Sequence, residues 1–130
     1  MRGRMLHREW AFRRGDIYLA DLNPYVGSEQ GGIRPVLVLQ NNDGNDFSPT
    51  LIIAPLTTKL KKLHQKTHYV IKINRALAAP SMVLFEQLQR IDKSRIIVYL
   101  GKLTEEQYQK LDDYLVNTLG MYIPETAEAP

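Results

Sequence analysis

The sequence predicts a mainly β fold with helices: a small, strongly bent sheet or barrel that carries a C-terminal α-helix. Three observations predict it. Short strand-type runs recur at close spacing from Asp16 to Leu100, each bounded by turn residues. One capped, amphipathic run follows them, from Thr104 to Gly120. No repeat and no linker-like stretch divides the 130 residues, a length that fits one domain.

The elements follow in order. Asp16–Leu22 alternates with period two and reads as a strand. Asn23–Gly27 opens a loop. Pro35–Leu39 is continuously apolar, as in a buried strand, with Pro35 suited to its first position. Asn41–Asp46 reads as a turn-rich link in which Gly44 supplies a left-handed conformation. Thr50–Pro55 is a second buried strand, and Lys59–Lys66 a polar, mobile connection. Thr67–Ile73 alternates again, Asn74–Pro80 links, and Met82–Ile91 forms a longer strand. Asp92 caps a single helical turn through Arg95, and Ile96–Leu100 is the last strand. Thr104 and Gln107 then form a capping box, flanked by Leu103 and Tyr108 at stapling positions. Tyr108, Leu111, Leu115 and Leu119 make one apolar stripe, which Gly120 terminates. Residues 1–13 read as a flexible basic N-terminal extension, 14–123 as the domain, and 124–130 as a frayed tail.

Composition sets the class. Hydrophobic content of 44% and charged content of 24% suit a globular chain with one small core. The absence of cysteine excludes disulfides and thiolate metal sites and fits a reducing compartment, so the cytoplasm is the default location. No apolar run is long enough to span a bilayer. The net charge of +3 is unevenly distributed. Between Asp46 and Glu86 there is no acid, while Lys59, Lys61, Lys62, Lys66, Lys72 and Arg75 are present. The chain from Thr104 onward holds six acids against Lys110 alone. A basic middle favours a polyanion on one face, against the simpler reading of a solvated lysine-rich loop.

Two stretches carry candidate chemistry. Gly27-Ser28-Glu29-Gln30-Gly31-Gly32-Ile33-Arg34 is a glycine-rich polar loop that runs into an apolar strand with an arginine at the junction. Its guanidinium stays charged and offers a planar fork of donors suited to phosphate. Leu51–Lys59 repeats the form: an apolar strand ending in Thr57, Thr58 and Lys59. Each has a plainer reading, Arg34 as the partner of an acid such as Glu29, and Thr57 as a β-branched strand residue. Glu86-Gln87 interrupts an apolar run and needs partners if buried. The histidines, His7, His64 and His68, are scattered and make no metal-ligand pattern. No phosphate loop, dinucleotide fingerprint or nucleophile elbow is present.

Three blocks, Gly15–Leu22, Gly27–Val38 and Ser48–Thr57, together with the later Glu86-Gln87-Leu88-Gln89-Arg90-Ile91-Asp92-Lys93, resemble the MazF/PemK family of toxin endoribonucleases. The likeness runs from about Arg14 to Ile123. It implies an SH3-like barrel with added helices that is a homodimer and cuts single-stranded mRNA at a short sequence. It also implies a cognate antitoxin that fills the RNA groove with its extended C-terminal segment. The family's catalytic arginine, which precedes Pro-Val-Leu, falls on Arg34. Its catalytic threonine falls on Thr57, with Thr58 adjacent and a one-residue ambiguity between them.

Such an enzyme needs no cofactor and no metal, because RNA carries its own nucleophile in the 2′-hydroxyl. Arg34 would hold the phosphorane oxygens and Thr57 would donate to a nonbridging oxygen, leaving 2′,3′-cyclic phosphate and 5′-hydroxyl ends. The proton acceptor is open at this stage: a glutamate, a backbone carbonyl or solvent, with Glu29 near only in sequence. Ser28, Glu29, Gln30 and Gln87 offer groups to base edges, and Lys59, with Lys61 and Lys62, to phosphates. Two rivals remain. A gyrase poison resembling CcdB would carry a tryptophan in its C-terminal helix, whereas the tryptophan here is Trp10. A noncatalytic nucleic-acid-binding barrel would have no use for Arg34 and Thr57 together.

Overall fold

A computed structural model describes residues 4–6 and 9–121. Eight strands occur among the described residues: β1 (Arg4–Met5), β2 (Asp16–Asp21), β3 (Ile33–Val38), β4 (Thr50–Thr57), β5 (His68–Ile71), β6 (Ser81–Leu84), β7 (Gln89–Asp92) and β8 (Ile96–Lys102). They pair in the order β1-β8-β2-β3-β4-β6-β5, with β7 also on β4, and every pair is antiparallel. The path has two ends, at β1 and β5, so this bent sheet is not a closed barrel. Helices α1 (Asn42–Phe47), α2 (Glu105–Gln109) and α3 (Leu111–Leu119) complete the chain.

Alternation along the central strands feeds two cores. Ile17, Leu37, Ala54 and Leu56 point into one cluster with Val83, Phe85 and Leu111. Tyr18, Val36, Val38, Leu51 and Ile53 point into the other with Phe12 and Ile91. A strand covered on both faces has no polar face to display, which explains the unbroken apolar runs of β3 and β4. Pro35 lies third in β3 rather than first. Pairing with β4 begins only at Val36, so the proline sits where one side of β3 is still unpaired.

Strand β4 has a forked partner. Its last residues pair with β6, Leu56 opposite Val83, and its first with β7, Ile53 opposite Gln89. Six steps from Val83 to Gln89 therefore face three from Leu56 to Ile53, and the surplus is extruded as a 3-10 turn, Phe85–Gln87. This replaces the single strand expected over Met82–Ile91. Phe85 is fully buried and anchors the turn, stacked on Tyr114 of α3 at 5.2 Å.

Other expectations also change. Asn41–Asp46 is not a turn-rich link: the Asn41 side chain accepts from the Gly44 N–H and caps α1, so Gly44 is helical rather than left-handed. The capping box at Thr104 and Gln107 forms, and Gly120 ends α3 at φ 66°. Between them the helix breaks at Lys110 (φ −83°, ψ −12°). The break takes Tyr108 out of the apolar stripe. Its ring packs over Gly15, where an added Cβ would come within 2.7 Å of it, and lies beneath the Arg14 guanidinium at 5.2 Å. Leu119 is left exposed.

The described residues before Arg14 pack on the body. Arg4 and Met5 pair with β8, and Phe12 is buried in the second cluster. The Trp10 indole N–H donates to the Tyr18 hydroxyl (2.8 Å), which donates to Asp16 Oδ2 (2.7 Å). The Arg13 N–H reaches the same oxygen at 2.8 Å. The tail 124–130 lies outside the described residues. No helix among those described is long and apolar enough to cross a membrane.

Burial raises the pKa of the Asp16 carboxyl above its ordinary value, and the hydrogen bonds from Tyr18 and Arg13 offset this only in part. The folded state thus holds this proton to higher pH than the unfolded state. The resulting stabilisation is full below the ordinary carboxyl pKa and is lost as pH rises through the raised one. Urea unfolding of wild type and Asp16→Asn from about pH 4 to about pH 7 should therefore show the variant gaining on the wild type as pH rises. Parallel curves would remove the assignment.

Candidate active site

Strand β3 begins at a cleft and strand β4 ends at it. Arg34 is the second residue of β3, and its side chain turns back over the glycine-rich loop. Its Nε donates to the Gly31 carbonyl at 2.8 Å and Nη1 to the Leu56 carbonyl at 3.4 Å. These neutral acceptors fix the guanidinium without discharging it, and Arg34 makes no ion pair among the described residues. The alternative of an Arg34–Glu29 pair is not what forms. The Glu29 carboxylate instead accepts the Val26 N–H at 2.6 Å, closing a turn with Glu29 N–H on the Val26 carbonyl.

Thr57 closes β4 and pairs with Met82 of β6. Its Oγ1 accepts the Lys59 N–H at 3.1 Å, so the hydroxyl proton is free to be donated elsewhere. Arg34 and Thr57 line one cleft of about 320 Å³ together with Gln30, Lys59 and Gln87. Thr58 is exposed and does not line it, whereas Thr57 does. Ser28 and Glu29 stay on the loop outside the cleft lining. Ser28 is still tied to the cleft, because Gln87 Nε2 donates to its carbonyl at 3.4 Å while Gln87 Oε1 accepts the Gln30 N–H at 3.3 Å. The Gln87 amide therefore holds the glycine-rich loop to the extruded turn, in addition to lining the cleft.

The loop needs its glycines. Gly27 and Gly32 sit at φ 57° and 77°. Gly31 packs under the Tyr25 ring so closely that a Cβ there would lie 1.7 Å from it.

The cleft takes in Glu86, which the sequence marks with Gln87 as a residue that holds the site together or lines a groove, and His68, which the sequence does not mark. His68 is buried at 7% exposure, with Nε2 2.7 Å from Glu86 Oε1 and Nδ1 3.2 Å from the Lys62 carbonyl. Glu86 had a signal, as a charge inside an apolar run. His68 had none, because its two partners lie six residues before it and eighteen after it. Met82 and Leu84 make the cleft wall apolar, and Lys61 and Lys62 join Lys59 and Arg34 as cations against the Glu86 carboxylate. A partly apolar recess with four cations and one acid favours a polyanion such as a phosphodiester backbone. No group of three His, Asp or Glu side chains that could hold a metal ion is found among the described residues.

The sequence profile of PemK-like, MazF-like toxins of type II toxin–antitoxin systems matches residues 13–119. The chain belongs to this family. It is 46% identical over 110 residues to endoribonuclease EndoA of Bacillus subtilis strain 168, spanning 84% of this chain and 95% of that protein. MazF of Deinococcus radiodurans shares the fold at TM-score 0.75 and 23% identity, covering 87% of this chain and all of the other. A mycobacterial endoribonuclease solved with its cognate antitoxin superposes at TM-score 0.73 and 24% identity, over 88% of this chain and all of that one.

Gly31→Ala should expel Tyr25 from its seat and loosen the loop at Gln30. Hydrogen exchange of residues 27–32 should accelerate while the core amides stay protected. Unchanged exchange would show that Tyr25 does not order this loop.

Proposed function

We propose that the cleft cleaves single-stranded RNA, with Arg34 and Thr57 as its catalytic residues. The observation that carries this reading is an arginine without a carboxylate partner among the described residues, set in one recess with a threonine whose hydroxyl is free to donate. The ribose 2′-oxygen attacks the adjacent phosphorus and passes its proton to Glu86, the one carboxylate among the described cleft residues. Arg34 and Thr57 stabilise the charge that gathers on the phosphorane oxygens. The bond from phosphorus to the 5′-oxygen breaks. Arg34 offsets the charge on that oxygen until it takes a proton from water. The products are a 2′,3′-cyclic phosphate and a 5′-hydroxyl, with no metal needed for any step.

Gln30 and Gln87 present amide groups to base edges, with Ser28 and Glu29 shaping the loop that sets the sequence read. Lys59, Lys61 and Lys62 follow the phosphates. The family membership and the solved toxin–antitoxin complexes support a cytoplasmic toxin that acts as a homodimer. They also support a cognate antitoxin whose extended C-terminal segment competes with RNA for this cleft.

Purified protein should cut a long RNA at one short sequence, equally with and without EDTA, and mapping the 5′ ends of the fragments should give that sequence. Thr57→Ala should fold normally by circular dichroism and lose about 10²–10³ in rate, the usual cost of one oxyanion donor, with Arg34→Ala losing more. Full activity in a folded Arg34→Ala protein would refute the site. Lys59→Ala should weaken RNA binding and reduce the slope of log affinity against log salt by about 0.7. An unchanged slope would remove Lys59 from the phosphate path.

A further inference from the structure

We infer that His68 is a positioning residue that fixes the two movable parts of the cleft, the Glu86 carboxylate and the lysine-bearing loop; this rests on the RNA-cleaving reading above. His68 opens β5, and its ring stands in the wall between the cleft and a second recess of about 470 Å³ under α3. Lys61, Lys62 and Glu86 lie on the cleft side, and Lys66, Lys110 and Asp113 on the other. At 7% exposure the ring has little freedom, so what it grips is held in place.

It grips two things. Nε2 holds Glu86 Oε1 at 2.7 Å, so one carboxylate oxygen is engaged and the other is left to take a proton. Nδ1 holds the Lys62 carbonyl at 3.2 Å. Lys62 is the one non-glycine residue with positive φ among those described, at 52°, a conformation that persists in such a residue only where its surroundings impose it. The strained residue and the histidine contact coincide at one carbonyl, in the middle of the loop that carries Lys59, Lys61 and Lys62. Both ring nitrogens face oxygen acceptors, and only the doubly protonated ring donates to both at once.

The two grips predict separable effects, since the loop lysines bind phosphates and Glu86 takes part in the chemistry. An asparagine amide falls near the place of Nδ1, and a glutamine amide near that of Nε2. His68→Phe should raise KM for an oligonucleotide containing the cleavage sequence, and should lower kcat by up to about 10²-fold, the scale of a small misplacement of a reacting group. Its loop amides at 59–66 should exchange faster in the free protein. His68→Asn should restore loop protection and KM but not kcat. His68→Gln should restore kcat but not KM. If the Phe variant does not fold, the Asn and Gln variants still decide the matter, the first lowering kcat alone and the second raising KM alone. Asn and Gln variants that match each other in KM, kcat and loop exchange would overturn the inference. A wild-type protein that cuts no RNA would instead sink the underlying reading, and the exchange result would still report on the loop grip.

Discussion

The cleft depends on a mismatch of length along one edge of β4. That strand faces β6 at its end and β7 at its start, and the chain joining them is longer than the edge they cover. The surplus cannot stay in the ladder, so it leaves as the Phe85–Gln87 turn. Phe85 supplies the apolar anchor that makes the extrusion stable, buried against α3. Glu86 and Gln87, leaving the sheet where β4 changes partner between Leu56 and Ile53, thereby line the same cleft as Thr57. A continuous strand over the same residues would have put these two side chains on opposite faces of the sheet, one of them in a core.

Charge is used differently at the cleft and around the rest of the molecule. Arg13 is paired with Asp46, and Arg14 with Asp112 at 2.9 Å, while Lys93 lies over the Phe12 ring at 5.3 Å. These cations are neutralised or stacked where they lie. Arg34 is treated otherwise: it is oriented by carbonyls, which leaves its charge available to a ligand. Asp112 of α3 stands against Arg14, while among the described residues no ion pair engages the lysines between Asp46 and Glu86. Ordinary burial and ion pairing account for the first group, while the second leaves its charge open to a ligand or to solvent.

The hydrogen bonds at the site form a set of cross-braces between segments remote in sequence. Gln87 ties the extruded turn to the glycine-rich loop, His68 ties it to the lysine-bearing loop, and Arg34 ties β3 to the end of β4. Each brace is a polar side chain on backbone or on a single partner, so the cleft can be shaped without an apolar core of its own.

The sequence by itself determined whatever depends on local pattern. Alternation and apolar runs located β2, β3, β4 and β8, the capping box and Gly120 bounded the C-terminal helices, and the junction residues Arg34 and Thr57 were singled out by their place at strand ends. Those features are set by residues within a few positions of one another. The tertiary structure decided what depends on partners far along the chain. It split Met82–Ile91 because of what β4 offers opposite, and broke the last helix so that Tyr108 could cover Gly15. It drew residues before Arg14 onto the body through Tyr18, and set Glu29 to closing a turn while Glu86 took a place in the cleft. His68 is the sharpest case. In the sequence it is an ordinary strand residue, and only the folding of two distant segments onto its ring makes it part of a site.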